Sequence, residues 1–201
     1  GRLLVSAHFE QASQHTALPG ANASEAAVDL WNHIAARAAA FNADKPKAFD
    51  QILPSLRKVQ SGDDGLKEWC DIMIATRLPL EFDPDAVQAL VRDWDAQRQV
   101  RRAGDVRSPI SAQISFFGPE RAYRSSKDSV LARAFVDAIR AEKRRPAFKH
   151  KTGTADFNIL GPVWQCPIVA YGPGDSSLDH TPNEHVPTDE FERGVRVLEG
   201  A

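Results

Sequence analysis

The chain has 201 residues, of which 42% are hydrophobic and 26% are charged, with a formal net charge of −2. This balance excludes a surface dominated by one sign of charge, so neither nucleic acid nor a membrane is expected as a partner. No apolar stretch approaches the roughly 20 residues of a membrane span, residues 1–20 lack the apolar core of a signal peptide, and two isolated cysteines indicate free thiols, which together predict a cytoplasmic protein.

The first half of the chain carries strand and helix signals in the order of a small α+β layer. The predicted elements are a strand near 3–7, a loop at 13–22, a helix capped by Asn22 and Glu25, mixed strand and turn pieces over 43–65, a strand over 68–79, and a helix with Asp83 as its cap and Pro84 in its first position. This order predicts an antiparallel sheet with two helices on one face. A charged stretch ends the second helix and continues as a linker, which places a domain boundary after residue 108.

The second half, 109–201, alternates strands and helices. Strands are predicted at 110–118, 146–153 and 167–174, a helix over 125–145 with Ser125 and Asp128 at capping-box spacing, and a final helix over 188–198 capped by Thr188. Such alternation favours an α/β unit with a mainly parallel sheet. Three strands are few for such a sheet, so we expect it to need partners outside the chain. The absence of an initial methionine in GRLLVSAHFE also suggests a piece of a longer protein.

Histidines in two loops are the first candidates for chemistry. His180 lies in LDHTPNEH, where the spacing H-x-x-x-E-H and the internal Pro182 rule out the helical H-x-x-E-H zinc motif. It can still be a single metal ligand, or a solvated or capping histidine. His15, in the loop SQHTALPGAN, is either a functional imidazole or one that bonds only to the local backbone.

Polar residues that follow predicted strands form the second group of candidates. Arg77 ends the strand at 68–79 and could bind a carboxylate through its forked guanidinium, or simply be an exposed arginine. Thr154, Asp156 and Asn158 belong to a polar turn that either lines a pocket or closes on itself as an Asx-type turn.

Three stretches together resemble one known family. KTGTADFNILGPVWQCPIVAYGPGDSSLDHTPNEHV, within the most specific match at 149–186, is similar to the carboxy-terminal signature of the metal-dependent aminoacylases and deacylases, a family that includes acetylornithine deacetylase, succinyl-diaminopimelate desuccinylase and glutamate carboxypeptidase. SQHTALPGANASEAAVDLWNHI and DIMIATRLP resemble segments of that family's lid. The T-G-T-x-D-x-N and Y-G-P-G-D runs look closest to the branch that releases lysine or ornithine from an N-acylated or carrier-linked form.

The resemblance implies a fold and a set of roles. The fold is α/β overall, with an α+β lid or dimerisation domain over 1–108 and the C-terminal portion of a zinc-peptidase-like catalytic domain over 109–201. His180 matches the last ligand of a dinuclear zinc centre, for which cobalt is an alternative metal. His15 matches a lid histidine that reaches across a homodimer to the developing oxyanion, and Arg77 matches the lid arginine that holds the substrate carboxylate. Thr154 and Asp156 are the further substrate-binding candidates.

The resemblance also shows what is missing. The family's H-x-D segment and Glu-Glu pair, which supply the bridging aspartate, further ligands and the general base, have no counterpart in 1–201. One ligand cannot hold zinc, so we expect a complete parent that is a zinc-dependent amide hydrolase of amino-acid biosynthesis, and a chain that alone is inactive and binds no zinc tightly. Alternatives are a dimerisation module without catalysis, or a related acetylornithine or peptide hydrolase. Basic clusters near Arg98–Arg107 and Arg140–Lys151 either meet an acidic carrier protein or are solvated surface.

Overall fold

A computed structural model describes residues 1–15, 17, 20–102 and 109–201, with the side chains of 100–102 left out of the description. The chain divides into two compact units, each described here by itself. Residues 1–122 with 151–158 form the sheet unit, and residues 123–150 with 159–201 form the helical unit. Over the described residues, no helix combines the length and the apolar composition that crossing a membrane requires.

The sheet unit is built on four antiparallel strands. They are β1 (Arg2–Ala12), β2 (Leu53–Asp63), β3 (Lys67–Arg77) and β4 (Ser111–Glu120), in the spatial order β2-β3-β1-β4. β1 lies inside the sheet and pairs with both β3 and β4, with Val5 opposite Ile74 on one side and Phe116 on the other. The predicted antiparallel sheet is therefore confirmed, and β2 and β4 are its edges within the described residues.

One face of the sheet forms the core with α1 (Ala23–Asn42) and α2 (Pro84–Arg102). Alternate residues of β1 are buried while their neighbours remain partly exposed, which is the period of a strand with one covered face. Phe9 meets Trp94 of α2 edge to face, with ring centroids 6.1 Å apart. The indole Nε1 of Trp94 donates to Asp29 Oδ2 at 3.1 Å, which links the two helices.

Both predicted helix starts in the sheet unit are confirmed. The side chain of Asn22 accepts from the Glu25 amide and the Glu25 carboxylate accepts from the Asn22 amide, each at 2.8 Å, which completes the capping box. Asp83 precedes Pro84 and its carboxylate accepts from the Asp85 amide at 3.0 Å. Each cap satisfies amides that a helix leaves unbonded in its first turn.

Arg98 is not part of an exposed basic cluster. Its side chain is 4% exposed, lies 2.6 Å from Asp95 and donates to the Ile110 carbonyl at 3.2 Å. The guanidinium also stacks over the rings of Phe9 and Trp94. Arg98, the first residue of the predicted basic cluster Arg98–Arg107, is therefore buried in the core. Residues 103–107 of that cluster lie outside the described residues.

The helical unit contains α3 (Val130–Ala141), most of α4 (Phe157–Trp164) and α5 (Thr188–Gly200). The predicted cap of α3 at Ser125 is wrong, because Ser129 is the N-cap and its hydroxyl accepts from the Ala132 amide at 3.1 Å. Thr188 is not a cap either, since it is the first helical residue and Pro187 precedes it without a side-chain cap. Both helices exist, but α3 also ends at Ala141 before the predicted residue 145, and α5 continues to Gly200 beyond the predicted residue 198.

Two of the three strands predicted in the second half do not form. Residues 146–153 and 167–174 contain no strand, and the predicted polar turn runs into α4. The third, β4, pairs with β1 and belongs to the sheet unit, so the compact units do not divide after residue 108. An extended segment becomes a strand only when a neighbour accepts its backbone hydrogen bonds. The assignment of 1–108 to a lid and 109–201 to a catalytic portion stays a prediction.

Candidate active-site residues

The structure brings two of the predicted site residues together. Arg77, at the end of β3, donates from Nη1 to the Thr154 hydroxyl at 3.3 Å, although the two are 77 positions apart. Both side chains are half-buried. Within the described part of the chain, no carboxylate lies within ion-pair distance of Arg77. A guanidinium carries five donors, so this one retains donors for an anionic group and has a hydroxyl beside it.

Thr154 is held in place by the residues that follow it. The Asn158 side chain accepts from the Ala155 amide at 3.0 Å and donates to the Arg121 carbonyl at 3.0 Å, while its own amide donates to the Ala155 carbonyl at 2.9 Å. Asn158 is 7% exposed. This closed turn, residues 155–158, fixes the T-G-T-A-D-F-N segment to the residue after β4. The sequence predicts Asn158 in a polar turn that either lines a pocket or closes on itself, and the structure shows the second alternative for its side chain.

His15 lies exposed in the loop after β1. Its Nδ1 accepts a hydrogen bond from the Ala17 amide at 3.2 Å. A neutral imidazole that accepts at Nδ1 carries its proton on Nε2. The local fold therefore leaves His15 with a donor directed away from its own backbone contact, as an oxyanion-binding histidine requires. Residues 16, 18 and 19 of this loop lie outside the described part.

His180 lies exposed in the loop that leads to α5. Its backbone is left-handed, with φ of 64°, and its amide donates to the Glu184 carboxylate at 2.9 Å. Glu184 thus braces the loop, and His185 bonds the Asn183 carbonyl through Nδ1 at 2.7 Å. The imidazole of His180 remains available to a ligand, while the rest of the loop is occupied with its own backbone.

The same loop contains a carboxylate that its turn keeps ionised. Asp175 accepts from the Ser177 amide at 2.9 Å, and hydrogen bonds from Ser177 hold the pKa of Asp175 below its ordinary value. One oxygen of Asp175 is thus bonded within its own turn. The crowding of polar groups around His180 is therefore largely the hydrogen bonding of a loop.

A complete metal centre is not among the described residues. Among the described residues, no group of three or more His, Cys, Asp and Glu side chains lies close enough together to hold a metal ion. Zinc in proteins takes three or four such ligands. The described residues therefore do not fit a whole zinc site, and His180 fits one as a single ligand.

The predicted site residues fall in different units. His15, Arg77, Thr154 and Asp156 belong to the sheet unit and His180 to the helical unit. Asp156 is exposed, and the contact that joins Arg77 to Thr154 does not include it. An open groove of about 720 Å³ between α2 and β4 is lined by residues such as Arg92 and Phe116, and its lining includes none of the predicted site residues.

A third histidine, His8, is paired with a carboxylate in the structure, although no sequence pattern assigns it a role. His8 Nδ1 lies 2.8 Å from Asp71 Oδ1 across β1 and β3, and its ring stacks on Trp69 with centroids 6.3 Å apart. These side chains lie on the sheet face that the helices do not cover. Neither the alternation of β1 nor that of β3 identifies such a pair, because only the strand register brings the two residues opposite each other.

Comparison with solved structures identifies the fold. The M20 family metallo-carboxypeptidase Sso-CP2 from Sulfolobus solfataricus matches with a TM-score of 0.63 at 14% identity, over 99% of this chain and 57% of that one. Aminopeptidase PepT from Bacillus cereus matches with a TM-score of 0.63 at 14% identity, over 98% of this chain and 50% of that one. The chain therefore has the fold of part of a metallopeptidase.

The sequence assigns the family. The profile of peptidase family M20/M25/M40 matches residues 7–201, and the chain belongs to this family of amide-bond hydrolases. The [LysW]-lysine hydrolase of Deinococcus radiodurans is 35% identical over all of this chain and 53% of its own length. The chain thus spans about half the length of this relative, and the resemblance recognised in the sequence is confirmed.

Proposed function

We propose that the protein containing this chain is a zinc-dependent hydrolase that releases lysine or ornithine from a carrier-linked or N-acylated form in the cytoplasm. The chain supplies Arg77 and Thr154 for the substrate carboxylate, Asp156 for a cationic substrate group, His15 as the donor to the oxyanion, and His180 as one metal ligand. The name of the Deinococcus radiodurans relative, a [LysW]-lysine hydrolase, supports this substrate class, and the free thiols Cys70 and Cys166 suit a reducing compartment.

The observation that carries the proposal is the unpaired guanidinium of Arg77 beside the Thr154 hydroxyl. A carboxylate in that position accepts two bonds from the arginine and a third from the hydroxyl. Each bond to a charged group is worth about 1.5–3 kcal/mol, so recognition of the amino-acid carboxylate at this point is sufficient to orient the substrate.

The metal supplies Lewis-acid chemistry to the amide carbonyl when it is bound. This chain contributes the imidazole of His180 at a loop that Glu184 braces, and the Nε2–H of His15 as a donor to the carbonyl oxygen. A donor placed where negative charge develops typically contributes about 100-fold to 1,000-fold in rate. The remaining ligands and the base have to come from outside residues 1–201.

The test compares the complete protein with the 201-residue chain. We expect the complete protein to hydrolyse carrier-linked lysine or N-acetyl-lysine and to contain stoichiometric zinc by elemental analysis, and the chain alone to do neither. Arg77→Gln in the complete protein keeps one amide donor for the carboxylate, so it should lower kcat/KM by about 10-fold to 100-fold, the value of one charged bond lost. Arg37→Gln, on the exposed face of α1, is the matched control. Stoichiometric zinc in the 201-residue chain would show that it holds a complete site.

A homodimer through the sheet unit is the proposed assembly. β2 is an edge strand whose exposed side chains include Leu56 and Val59. Arg57 and Lys58 lie near its middle and Asp63 at its end, so an antiparallel register with the twofold axis at Gln60 sets Arg57 of each copy opposite Asp63 of the other. Val59→Lys should convert dimer to monomer in light scattering, while Lys67→Gln in the adjacent hairpin should not.

The second candidate function, an interaction module without catalysis, rests on this same edge strand. It predicts dimers from the 201-residue chain and no hydrolysis from the complete protein. Catalysis by the complete protein removes it.

A further inference from the structure

We propose that Asn158 is a positioning residue for the carboxylate site, acting by holding Thr154 against Arg77. The inference rests on the proposed function of that site, since it explains how the site is kept in shape. It concerns the sheet unit alone, to which all of these residues belong.

The first step is the geometry of the closed turn. Asn158 uses its side-chain oxygen for the Ala155 amide and its side-chain nitrogen for the Arg121 carbonyl, both at 3.0 Å. It is 7% exposed, so water does not replace either bond readily when the side chain changes. The residue next to Thr154 is thereby tied to the end of β4.

The closed turn of residues 155–158 is anchored to the sheet. Arg121 forms an ion pair with Asp83, the cap of α2, and Glu120 forms one with Arg2 at 2.7 Å. Arg2 lies opposite Arg77 in the pairing of β1 with β3. The anchor of the turn and the arginine it serves therefore belong to one hydrogen-bonded sheet, which fixes their separation.

Among the described residues, the Thr154 side chain is held only by Arg77. Its side-chain contact is the 3.3 Å bond to Arg77, which is long for a charged donor. A weak contact between residues 77 positions apart persists only if the backbone brings them together. The Asn158 turn is the element that does so, and a substrate carboxylate then meets a hydroxyl and a guanidinium already in register.

The experiment uses the complete protein and two substrates, N-acetyl-lysine and its carboxamide analogue. Asn158→Asp keeps the acceptor for Ala155 but sets an oxygen against the Arg121 carbonyl. We expect KM for N-acetyl-lysine to rise about tenfold with kcat within about threefold, and KM for the carboxamide to stay unchanged. Asn32→Asp, the same change on the exposed face of α1, is the control and should alter neither.

Thr154→Val separates positioning from the added charge. It should raise KM for N-acetyl-lysine to a similar extent, and Asn158→Asp should add little in the Thr154→Val background, because the residue it positions is then gone. Thr154→Ser should restore binding. An Asn158→Asp effect that persists undiminished in that background, or that falls equally on both substrates, would overturn the inference.

Two measurements keep the test decisive. If Asn158→Asp fails to fold, hydrogen exchange at the Ala155 amide of the unchanged protein decides. Slow exchange supports the positioning role of the closed turn, and exchange at the rate of an open amide overturns it. If the complete protein hydrolyses neither substrate, the proposed function fails. Calorimetric binding of N-acetyl-lysine then tests the positioning role of Asn158 by itself. Binding weakened by Asn158→Asp supports it, whereas equal binding or none overturns it.

Discussion

The buried ion pair between Asp95 and Arg98 offers the strongest test of the sheet unit. The side chains are 4% exposed for Arg98 and 18% for Asp95, and their closest atoms are 2.6 Å apart. Removing one partner of a buried pair typically costs about 3–5 kcal/mol, because the other charge is left without compensation. Asp95→Ala should therefore destabilise the unit by about 3 kcal/mol.

Arg98→Met removes the second charge while keeping much of the aliphatic stem. It should be costly alone, since it removes the donor to the Ile110 carbonyl and leaves Asp95 with only its bond from Gln99. The double variant should be no less stable than Asp95→Ala alone. The summed costs of the two single substitutions then exceed the cost of the double one by a coupling free energy of about 2–3 kcal/mol. Urea unfolding followed by tryptophan fluorescence, to which Trp94 beside Arg98 contributes, measures the free energy of unfolding of each variant.

The chain contains its own control for this experiment. Asp137 and Arg140 of α3 repeat the residue types, order and spacing of the buried pair, but their side chains are 76% and 65% exposed. Exposed pairs contribute little to stability, so Asp137→Ala and Arg140→Met should be additive within error by circular dichroism. Additive effects at Asp95 and Arg98 would refute the reasoning from burial.

Two further predictions concern single groups. Burial raises the pKa of the Cys70 thiol, whereas Cys166 is exposed, so Ellman's reagent should label Cys166 in the folded chain and Cys70 only after unfolding; equal labelling would contradict the core. In the β2–β3 hairpin, the amides of Lys67 and Leu66 lower the pKa of Asp64 below 3.8. Because the pKa of Asp64 is lower in the folded state, its ionised carboxylate stabilises the hairpin at pH values above the unfolded pKa, and this stabilisation is lost as the pH falls through the folded pKa. An NMR titration midpoint at or above 3.8 would be inconsistent with this geometry.

Sequence patterns predicted the elements that are covered on one side. β1 alternates because the helices cover one of its faces, and α1 begins at Asn22 because its capping box is local in sequence. β2 gave only mixed signals, since an edge strand exposed along most of its length has no buried face to impose alternation. Local patterns therefore succeeded where the chain itself contains the neighbour that creates them.

The strand predicted over 167–174 failed for the opposite reason. Its apolar run is of the kind that fills a parallel sheet, but the described residues provide no strand beside it. In the same way, spacing could not show that Arg77 meets Thr154, because the contact depends on how β3, β4 and the Asn158 turn are arranged. The family resemblance gave these residues a role, and the structure provided the contact between two of them.

The left-handed backbone at His180 has a consequence for selection. A side chain in that conformation costs about 1–2 kcal/mol relative to glycine, so His180→Gly should fold at least as well as the natural sequence. A chain optimised for stability alone would place glycine there. On the proposed role of His180 as a metal ligand, histidine at this position is a stability–function trade-off, in which the loop gives up folding free energy to keep an imidazole at that point.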